Sequence, residues 1–337
     1  MTAIRVGTFN CENLFLRYTF TGPLVPRKKN ESEQAYQARV SKARADALIA
    51  FEKTGASLDW LARDLQDYSA ISHTQRAATA AVIKENDPDV MALVEIESME
   101  ALRKFNSTTF FKSKRFPYFM LIDGNDPRGI DVAVLSKLPI THMRSYIGDT
   151  YKTKKGATVA TFSRDCLVVQ VDVKGTPLTL FVNHFKSQFM DNPERRAQQA
   201  RRVAGIVEET FGSGVLKAKF AIVGDFNQTP DNASLQPLLK KPWQTDALTL
   251  LPKAERWTHV YESKNSVKGV SQLDYILLSK PLMSSVGGTP LIERRGLARY
   301  KGLDKYYPDS AQRILPSVDK PGSEASDHCA VFVDIKV

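Results

Sequence analysis

Short apolar runs separated by polar turn residues recur along the chain and predict buried β-strands. Phe220–Val223 is such a run, and others lie at 90–94 and 275–278. Four to eight apolar residues bounded by turn residues are typical of a strand that is covered on both faces. Near the start, Ile4 and Val6 alternate with other residue types, which is the period of a strand. We predict strands at 4–10, 90–95, 119–121, 131–135, 167–173, 178–182, 219–227, 272–278 and 329–335.

Other stretches carry apolar residues at the spacing of a helix. Gln75–Asn86 places alanines and Ile83 on one face, and Pro88 ends this helix because the residue before a proline avoids helical backbone angles. A second helix begins at Pro193 and extends to about 210, with its arginines on the solvent face. A short helix is expected at 234–239.

Two segments depart from this pattern, and we interpret them as insertions into a single domain of residues 1–337. The first, at about 17–72, contains stretches rich in alanine, leucine and charge at 34–53 and 57–68, which predict a helical hairpin on the surface. The second, at about 284–326, is irregular and basic, with tyrosines among its lysines and arginines. Basic residues mixed with aromatics suit a nucleic-acid groove. A packed surface loop is the alternative.

Polar side chains stand at the ends of the predicted strands. Asp225 and Asn227 end the strand that begins with Phe220–Val223, and residues two apart on a strand share a face. Glu95 ends the strand at 90–95, where a carboxylate is costly unless it is paired or bound to a metal. Asp-x-Asn also suits an ordinary turn. These positions alone therefore leave a structural interpretation open.

The remaining candidates follow the same rule. Asn10 ends the first strand, where a buried turn asparagine is the plain alternative, and Asp274 lies in a buried run that calls for a partner such as histidine. His184 and Lys186 share one face of a strand end, which suits a phosphate neighbourhood. Arg128 either forms an ion pair with Asp131 or reaches a phosphate. Asp327 and His328 directly precede the last strand.

Composition narrows the possible partners. The net charge is +10, from 47 basic and 37 acidic residues, which favours polyanions such as nucleic acid or phosphorylated small molecules. No apolar run approaches the roughly 18 residues of a membrane span, and no signal peptide is evident, so we expect no membrane partner and a cytoplasmic location. A secreted protein whose signal has been removed is the alternative. The three cysteines, Cys11, Cys166 and Cys329, lack metal-ligand spacing and are expected to be buried thiols.

Strands outnumber helices, and this predicts two sheets packed face to face with helices outside and the site residues on one rim. The candidates lie in short motifs whose order resembles that of the endonuclease/exonuclease/phosphatase superfamily. This group includes deoxyribonucleases, base-excision exonucleases, tyrosyl-DNA phosphodiesterases, inositol-polyphosphate phosphatases and neutral sphingomyelinases. The motifs are Phe9-Asn10, Leu93-Val94-Glu95, Asn183-His184-Phe185-Lys186-Ser187, Gly224-Asp225-Phe226-Asn227, Leu273-Asp274-Tyr275-Ile276 and Ser326-Asp327-His328.

The resemblance implies a fold and a metal site. The fold is α/β (α+β), a four-layer α/β/β/α sandwich of two mostly antiparallel sheets with helices on the outer faces. Glu95 would be the main ligand of Mg²⁺, with Mn²⁺ or Ca²⁺ as alternatives, and Asn10 and Asp327 would complete or approach the shell. Carboxylate and amide oxygens are the hard ligands that such ions prefer.

The resemblance also implies catalytic roles. Asp225 would orient or deprotonate the attacking water, and Asn227 would hold a phosphate oxygen. His328 would pair with Asp274 or Asp327 and act as a general base or stabilise charge. His184 would protonate the leaving oxygen. The substrate would be bound by Lys186 and Arg128.

Three functions compete. The first is a metal-dependent nuclease that hydrolyses DNA or RNA by in-line attack of water, expected to be a monomer. The second is a phosphatase or phosphodiesterase that acts on a small phosphorylated molecule or a lipid headgroup. A lipid enzyme would need an exposed amphipathic element, and none is evident. The third is a binding module without catalysis, which is disfavoured because idle buried carboxylates would destabilise the fold.

Overall fold

The computed structural model describes residues 1–14, 19–20, 28–36, 38–39, 41–42, 62–63, 73–107, 115–126, 128–189 and 191–337. The chain divides into two units, of which the first comprises Met1–Leu14 with Ile71–Val337 and the second Phe15–Ala70. None of the helices within these described ranges is long and apolar enough to cross a bilayer.

The strands are numbered in chain order. They are β1 Ala3–Leu14, β2 Thr19–Phe20, β3 Ala62–Arg63, β4 Val90–Ile96, β5 Tyr118–Leu121, β6 Asp131–Ser136, β7 Ile140–Arg144, β8 Thr150–Lys152, β9 Thr158–Ala160, β10 Cys166–Val173, β11 Thr176–His184, β12 Phe220–Asp225, β13 Gln244–Asp246, β14 His259–Ser263, β15 Ser266–Ser271, β16 Asp274–Ser279, β17 Leu291–Glu293 and β18 Ala330–Lys336.

Two six-stranded sheets form the centre of the first unit. One has the order β17-β18-β1-β4-β6-β5 and the other β13-β16-β12-β11-β10-β7. Within these sheets, β1 with β4 and β11 with β12 are parallel pairs, and the other pairs are antiparallel. The mostly antiparallel character of the predicted sheets is therefore confirmed.

The alternation of side chains along the strands explains the layers. Leu180, Val182 and Val223 face a core shared by both sheets, while Phe181 and Ile222 face the opposite way. This outward face of the second sheet is covered by the helix Pro193–Phe211, whose buried side chains join the same cluster. A strand that is buried on both faces of its sheet must be apolar at successive positions, as these strands are. The four-layer α/β/β/α sandwich is confirmed.

The helices of the first unit mostly agree with the prediction. They are His73–Asn86, Met99–Ser107, Pro193–Phe211, Gln236–Leu239 and Lys280–Met283, with 3-10 turns at Gly212–Gly214, Ala247–Leu250, Lys253–Glu255, Leu303–Lys305 and Ser310–Gln312. The helices Met99–Ser107 and Lys280–Met283 were not predicted, and neither were the strands β7, β8, β9, β13, β14, β15 and β17. Most of β7 is exposed, so it lacks the apolar run from which the other strands were inferred.

The second unit contains most of the predicted insertion at 17–72. Residues 33–36, 38–39 and 41–42 are helical, in agreement with the helix expected at 34–53. Residues 62–63 pair instead with 19–20 as short antiparallel strands, so the helix expected at 57–68 is wrong at these two residues. The rest of 43–72 lies outside the described residues, and the helical hairpin stays a prediction.

The segment 284–326 packs closely rather than lying open. β17 pairs with β18, and Leu297, Leu303 and Val318 are buried. The guanidinium of Arg294 lies 4.0 Å from the centre of the Trp257 ring, and Arg295 pairs with Glu85 and Glu293. The alternative of a packed surface loop therefore describes these residues better than an open basic groove.

Candidate active site

The ends of several strands converge on a cavity of about 560 Å³. Its charged and amide-bearing lining residues are Asn10, Glu12, Asn13, Glu95, His184, Gln188, Asp225, Asn227, His259, Asp327 and His328. Seven of the ten residues predicted as a site are in this set. Asp274 lies directly behind His328, whereas Lys186 and Arg128 lie outside the lining.

Glu12, Glu95 and Asp327 form the acidic wall of the cavity. The first two lie on the neighbouring strands β1 and β4, where a bulge interrupts the pairing. β1 and β4 pair in register as far as Asn10 and Val94, and pairing resumes at Leu14 and Ile96. Within this interruption, Glu12, Asn13 and Glu95 have φ angles of 47°, 63° and 65°. Left-handed backbone costs about 1–2 kcal/mol for most residues, and such strain concentrates at functional sites. The bulge is closed where the amide of Asn13 donates to Oε2 of Glu95 at 3.0 Å.

Asp225 is the polar end of β12 and is fixed from several sides. Its Oδ1 accepts from the amide of Asn227 at 2.7 Å, and its Oδ2 accepts from Nδ2 of Asn227 at 3.0 Å and Nδ2 of Asn10 at 3.2 Å. Burial, the largest cause, raises the pKa of Asp225 to about 7 against the opposing influence of His328. The prediction that Asp225 and Asn227 share a strand face is wrong, because β12 ends at Asp225 and Asn227 folds back with a φ of 52°.

Gly224 allows β12 to approach β11 closely. Its φ is 127°, and a Cβ atom there would lie 1.9 Å from the carbonyl oxygen of Asn183. No other residue fits this combination of backbone angle and space. The strand end that carries Asp225 therefore depends on a glycine.

His328 is held by a buried carboxylate. Its Nδ1 lies 2.8 Å from Oδ2 of Asp274, and the hydroxyl of Thr258 donates to the same oxygen at 2.7 Å. Its Nε2 lies 3.9 Å from Oδ2 of Asp225. Burial by itself lowers the pKa of His328, but the carboxylates of Asp274 and Asp225 outweigh it and raise the pKa well above the usual value. The surroundings of His328 therefore favour its charged form.

His184 has the opposite electrostatic environment. Burial and the nearby Arg164 and His328 lower its pKa well below the usual value. Its Nε2 lies 3.6 Å from Oδ2 of Asp225 and 3.8 Å from Oε1 of Glu95. Its Nδ1 is buried and has no hydrogen-bond partner among the described residues. Two imidazoles whose pKa values are shifted in opposite directions thus approach the same Oδ2 of Asp225.

Sequence comparison decides the family. The model of the endonuclease/exonuclease/phosphatase family matches residues 60–284. The chain belongs to this family. Members of the endonuclease/exonuclease/phosphatase family are phosphoester hydrolases. No curated protein matches the sequence significantly.

Solved structures show the same fold at low sequence identity. Truncated Caenorhabditis elegans TDP2 is 15% identical, with a TM-score of 0.53 over 78% of this chain and 91% of that one. An endonuclease/exonuclease/phosphatase from Bacteroides vulgatus is 11% identical, with a TM-score of 0.55 over 100% of both chains. D. rerio TDP2 complexed with single strand DNA product is 15% identical, with a TM-score of 0.53 over 81% of this chain and 96% of that one.

The acidic wall fits the divalent metal ion typical of this family. Glu12, Glu95 and Asp327 line one cavity with the amide of Asn10, and Oε2 of Glu12 accepts from the amide of Asp327 at 3.1 Å. Burial and then repulsion from Asp327 raise the pKa of both Glu12 and Glu95. Burial also acts to raise the pKa of Asp327, but His259 and His328 outweigh it and lower that pKa. A cation would relieve this repulsion, and carboxylate and amide oxygens are its preferred donors.

The structure places the two predicted substrate-binding cations elsewhere. Nζ of Lys186 donates to the carbonyl oxygens of Ser187 at 2.9 Å and Phe189 at 2.5 Å, so it supports the loop at the cavity mouth. Arg128 forms a two-bond pair with Asp126, at 2.9 and 2.8 Å, rather than the pair with Asp131 considered from the sequence. Neither side chain is among the lining residues.

Sequence reasoning missed several residues of this site. The spacing of Glu12, two residues after Asn10, could have indicated that it belongs to the site. Glu12 lies inside the bulge, however, where the regular period of the strand is interrupted. His259 lies 4.7 Å from His328 between ring centres, and its Nε2 lies 3.7 Å from Oδ2 of Asp327. Arg164 is fully buried, with Nε 3.1 Å from Oδ2 of Asp126 and Nη1 3.1 Å from the carbonyl oxygen of Phe185. No local pattern indicates Arg164.

Proposed function

We propose that the protein is a divalent-metal-dependent phosphodiesterase that hydrolyses nucleic acid, DNA or RNA, by in-line attack of an activated water. The observation that carries this proposal is the arrangement of His328 between Asp274 and Asp225, in the same cavity as the acidic wall of Glu12, Glu95 and Asp327. In-line displacement at phosphorus needs a group that accepts the proton of the attacking water and a positive charge that stabilises the departing oxygen. Asp225 would take the first role, and a metal ion on the acidic wall would take the second until solvent water protonates the departing oxygen.

The metal ion is assigned to the acidic wall. Glu95 and Asp327 are its proposed carboxylate ligands and Asn10 its amide ligand, and we add Glu12 to this set because it lies against Asp327. When bound, Mg²⁺ or Mn²⁺ supplies positive charge that polarises a phosphoryl oxygen. Arg164, buried next to this wall, acts to lower the pKa of Glu95 and so favours its ionised form.

Asp225 is the proposed acceptor of the proton from the attacking water. A pKa of about 7 matches such a role, because a general base works best near the operating pH. The backbone amide and Nδ2 of Asn227 both donate to the Asp225 carboxylate, and Nδ2 also donates to the carbonyl oxygen of Phe185 at 3.2 Å. We therefore assign Asn227 to holding Asp225, in place of holding a phosphate oxygen.

His328 and His184 take different roles. As an imidazolium oriented by Asp274, His328 supplies an N–H donor and positive charge to the phosphoryl group. His184 is neutral because burial and Arg164 disfavour its charged form. We assign to His184 a hydrogen-bonding role next to Asp225 and Glu95, in place of protonation of the leaving oxygen.

The rim of the cavity supports a nucleic acid as substrate. Phe189 is 75% exposed and Tyr261 is 62% exposed, and both line the cavity. An exposed aromatic ring at a phosphodiesterase site is a platform on which a base can stack, worth about 1–3 kcal/mol per base. The net charge of +10 also favours a polyanion. A small phosphorylated molecule is the second candidate, since a cavity of about 560 Å³ is within the usual size for small ligands.

A substrate panel distinguishes the two candidates. The protein is incubated with plasmid, single-stranded DNA, RNA, phosphorylated sugars and inositol phosphates, each with Mg²⁺ and with chelator. Cleavage of a nucleic-acid chain that stops with chelator supports the nuclease. Release of inorganic phosphate from the small molecules, with intact nucleic acids, would replace it with the second candidate.

A further inference from the structure

His259 stands beside His328 and belongs to none of the roles described above. One ligand atom of His259, one of Asp327 and one of His328 all lie within 4.8 Å of one another. The closest measured approach, from Nε2 of His259 to Oδ2 of Asp327, is 3.7 Å. Two imidazoles and one carboxylate form a different donor set from the oxygen-rich wall around Glu95.

The backbone fixes this trio. Residues 259 and 328 form an antiparallel bridge, in which the amide of Val260 donates to the carbonyl oxygen of Asp327 at 3.0 Å. The amide of Cys329 donates to the carbonyl oxygen of Thr258 on the other side, at 2.6 Å. The three side chains therefore project from two backbone segments that are hydrogen-bonded to each other, and little chain ordering is needed to bring them onto an ion.

Both imidazoles also have the outer partners that metal-binding histidines use. Nδ1 of His328 is bonded to the carboxylate of Asp274, and Nδ1 of His259 lies 3.4 Å from the hydroxyl oxygen of Ser271. Such contacts fix the ring orientation and leave Nε2 as the ligating atom. Imidazole nitrogen suits zinc and its neighbours in the first transition row, whereas carboxylate and water suit Mg²⁺.

We infer that His259, Asp327 and His328 form a second metal site, which prefers zinc or a similar transition-metal ion to Mg²⁺ and shares Asp327 with the acidic wall. Zn²⁺ takes the place of the proton on Nε2 of His328, and this proton is released to solvent. The three protein ligands leave at least one coordination position for water, as in open zinc sites. Because Nε2 of His328 faces Asp225 across the cavity, an ion on this nitrogen removes His328 from the phosphoryl group. Zinc at this site would therefore inhibit the Mg²⁺-supported reaction, a consequence that rests on the proposed function.

Metal binding can be measured without any substrate. The full-length protein, freed of metal with chelator and dialysed, is titrated with ZnCl₂ by calorimetry in the presence of excess Mg²⁺, and with CoCl₂ by visible absorption. We expect one Zn²⁺ per chain and Co²⁺ bands of a four- or five-coordinate nitrogen-containing site. His259→Gln should weaken Zn²⁺ binding by at least about 10-fold, the loss typical of removing even an outer partner. His142→Gln, an exposed histidine on β7, is the control and should bind Zn²⁺ as wild type does.

Two further variants keep the test decisive. Ser271→Ala removes only the outer partner of His259 and should weaken Zn²⁺ binding by about 10-fold. This variant provides the test if His259→Gln fails to fold. His184→Gln removes the other imidazole of the cavity and should leave the Zn²⁺ affinity unchanged. Absence of a zinc site in the wild type, or full affinity in both His259→Gln and Ser271→Ala, would overturn the inference.

Inhibition is a separate measurement on the active protein. Where Mg²⁺-supported hydrolysis is observed, added Zn²⁺ should lower the wild-type rate, and Ser271→Ala should require about 10-fold more Zn²⁺ for the same effect. Equal Zn²⁺ sensitivity of wild type and Ser271→Ala would contradict the inhibitory role of this site. Failure of hydrolysis on every substrate would count against the proposed function, while the calorimetric result would still decide the zinc site.

Discussion

Asp274 faces Asp225 across the antiparallel pair of β16 and β12, and its Oδ2 lies 2.8 Å from Nδ1 of His328. One imidazole is thus bracketed by two carboxylates whose positions are set by the register of a sheet. Burial opposes a charge on His328, and the two carboxylates outweigh burial. The charged state of His328 therefore depends on the strand pairing that brings Asp274 to it.

Replacing Asp274 should disable His328 while its ring remains. Asp274→Asn removes the negative charge that raises the pKa of His328, and an Asn amide can impose the wrong ring tautomer. We expect hydrolysis to fall by about 100-fold or more, the usual contribution of a positioned acid or base. Steady-state rates on one oligonucleotide measure this. Asp246→Asn, a carboxylate on the neighbouring strand β13 that does not line the cavity, is the control. Wild-type turnover in Asp274→Asn would remove His328 from the mechanism.

The exposed ring of Phe189 should affect polymers and spare small substrates. Phe189→Ala removes a stacking surface worth about 1–3 kcal/mol, so KM for a single-stranded oligonucleotide should rise by about 5- to 150-fold. Hydrolysis of a small chromogenic phosphodiester should stay close to wild type. Leu216→Ala, which truncates a half-exposed leucine away from the cavity, is the matched control. An equal loss on both substrates would show that Phe189 supports the loop rather than a base.

The strand ends of the site could be predicted from the sequence because each follows an apolar run. Asn10, Glu95, His184 and Asp225 all interrupt hydrophobic segments, and a polar residue there needs a partner whatever the fold. The central strands of both sheets were predictable for the same reason, since they are covered on both faces, whereas the exposed edge strand β7 was not. The order of the strands within each sheet was not predicted.

The missed residues lack such a signal. Glu12 lies where β1 leaves its regular period, so its positive φ and its inward direction follow from pairing with β4 and not from neighbouring residues. His259 begins the hairpin of β14 and β15, which contains exposed residues such as Tyr261 and no long apolar run. Arg164 is buried through contacts with distant loops. Contacts between residues far apart in the chain determine where these side chains lie, and such contacts cannot be inferred from a single sequence.

Gly224 should be the least replaceable glycine of the site. A Cβ atom there would collide with the Asn183 carbonyl at 1.9 Å while the φ of 127° disfavours any side chain. Gly224→Ala should lower the free energy of unfolding by about 3 kcal/mol or more and displace Asp225, with loss of hydrolysis. Gly148→Ala, at an exposed glycine with no atom within 4 Å of the added methyl group, should change stability by less than about 1 kcal/mol. Denaturant unfolding compares the two, and equal stabilities would contradict the close approach of β12 and β11.

Asp165 should give the fold a measurable pH dependence. Its side chain is buried, its Oδ1 accepts from the amide of Tyr146 at 2.8 Å, and burial raises its pKa to about 6. In the unfolded state the Asp165 carboxyl has a pKa of about 3.9, so it loses its proton at a lower pH there than in the folded state. The stability associated with this group is complete below about pH 4 and is lost as the pH rises to about 6, by about 3 kcal/mol.

Asp165→Asn removes this titration. The difference in unfolding free energy between variant and wild type should shift in favour of the variant by about 3 kcal/mol from pH 4 to pH 7. Urea unfolding at a series of pH values measures it. Asp319→Asn, which makes the same change at an exposed loop position, is the matched control. A constant difference for Asp165→Asn across this range would mean that Asp165 is ionised in the folded protein.

The central claim is that the acidic wall binds a divalent ion that the chain uses to hydrolyse nucleic-acid phosphodiesters. The most direct measurement is the initial rate of cleavage of an end-labelled single-stranded oligonucleotide by wild type and Glu95→Gln, with Mg²⁺ and with chelator. We predict cleavage by wild type with Mg²⁺, none with chelator, and at least about 100-fold slower cleavage by Glu95→Gln at the same Mg²⁺ concentration. Cleavage that persists in chelator, or that Glu95→Gln performs at the wild-type rate, would contradict the account.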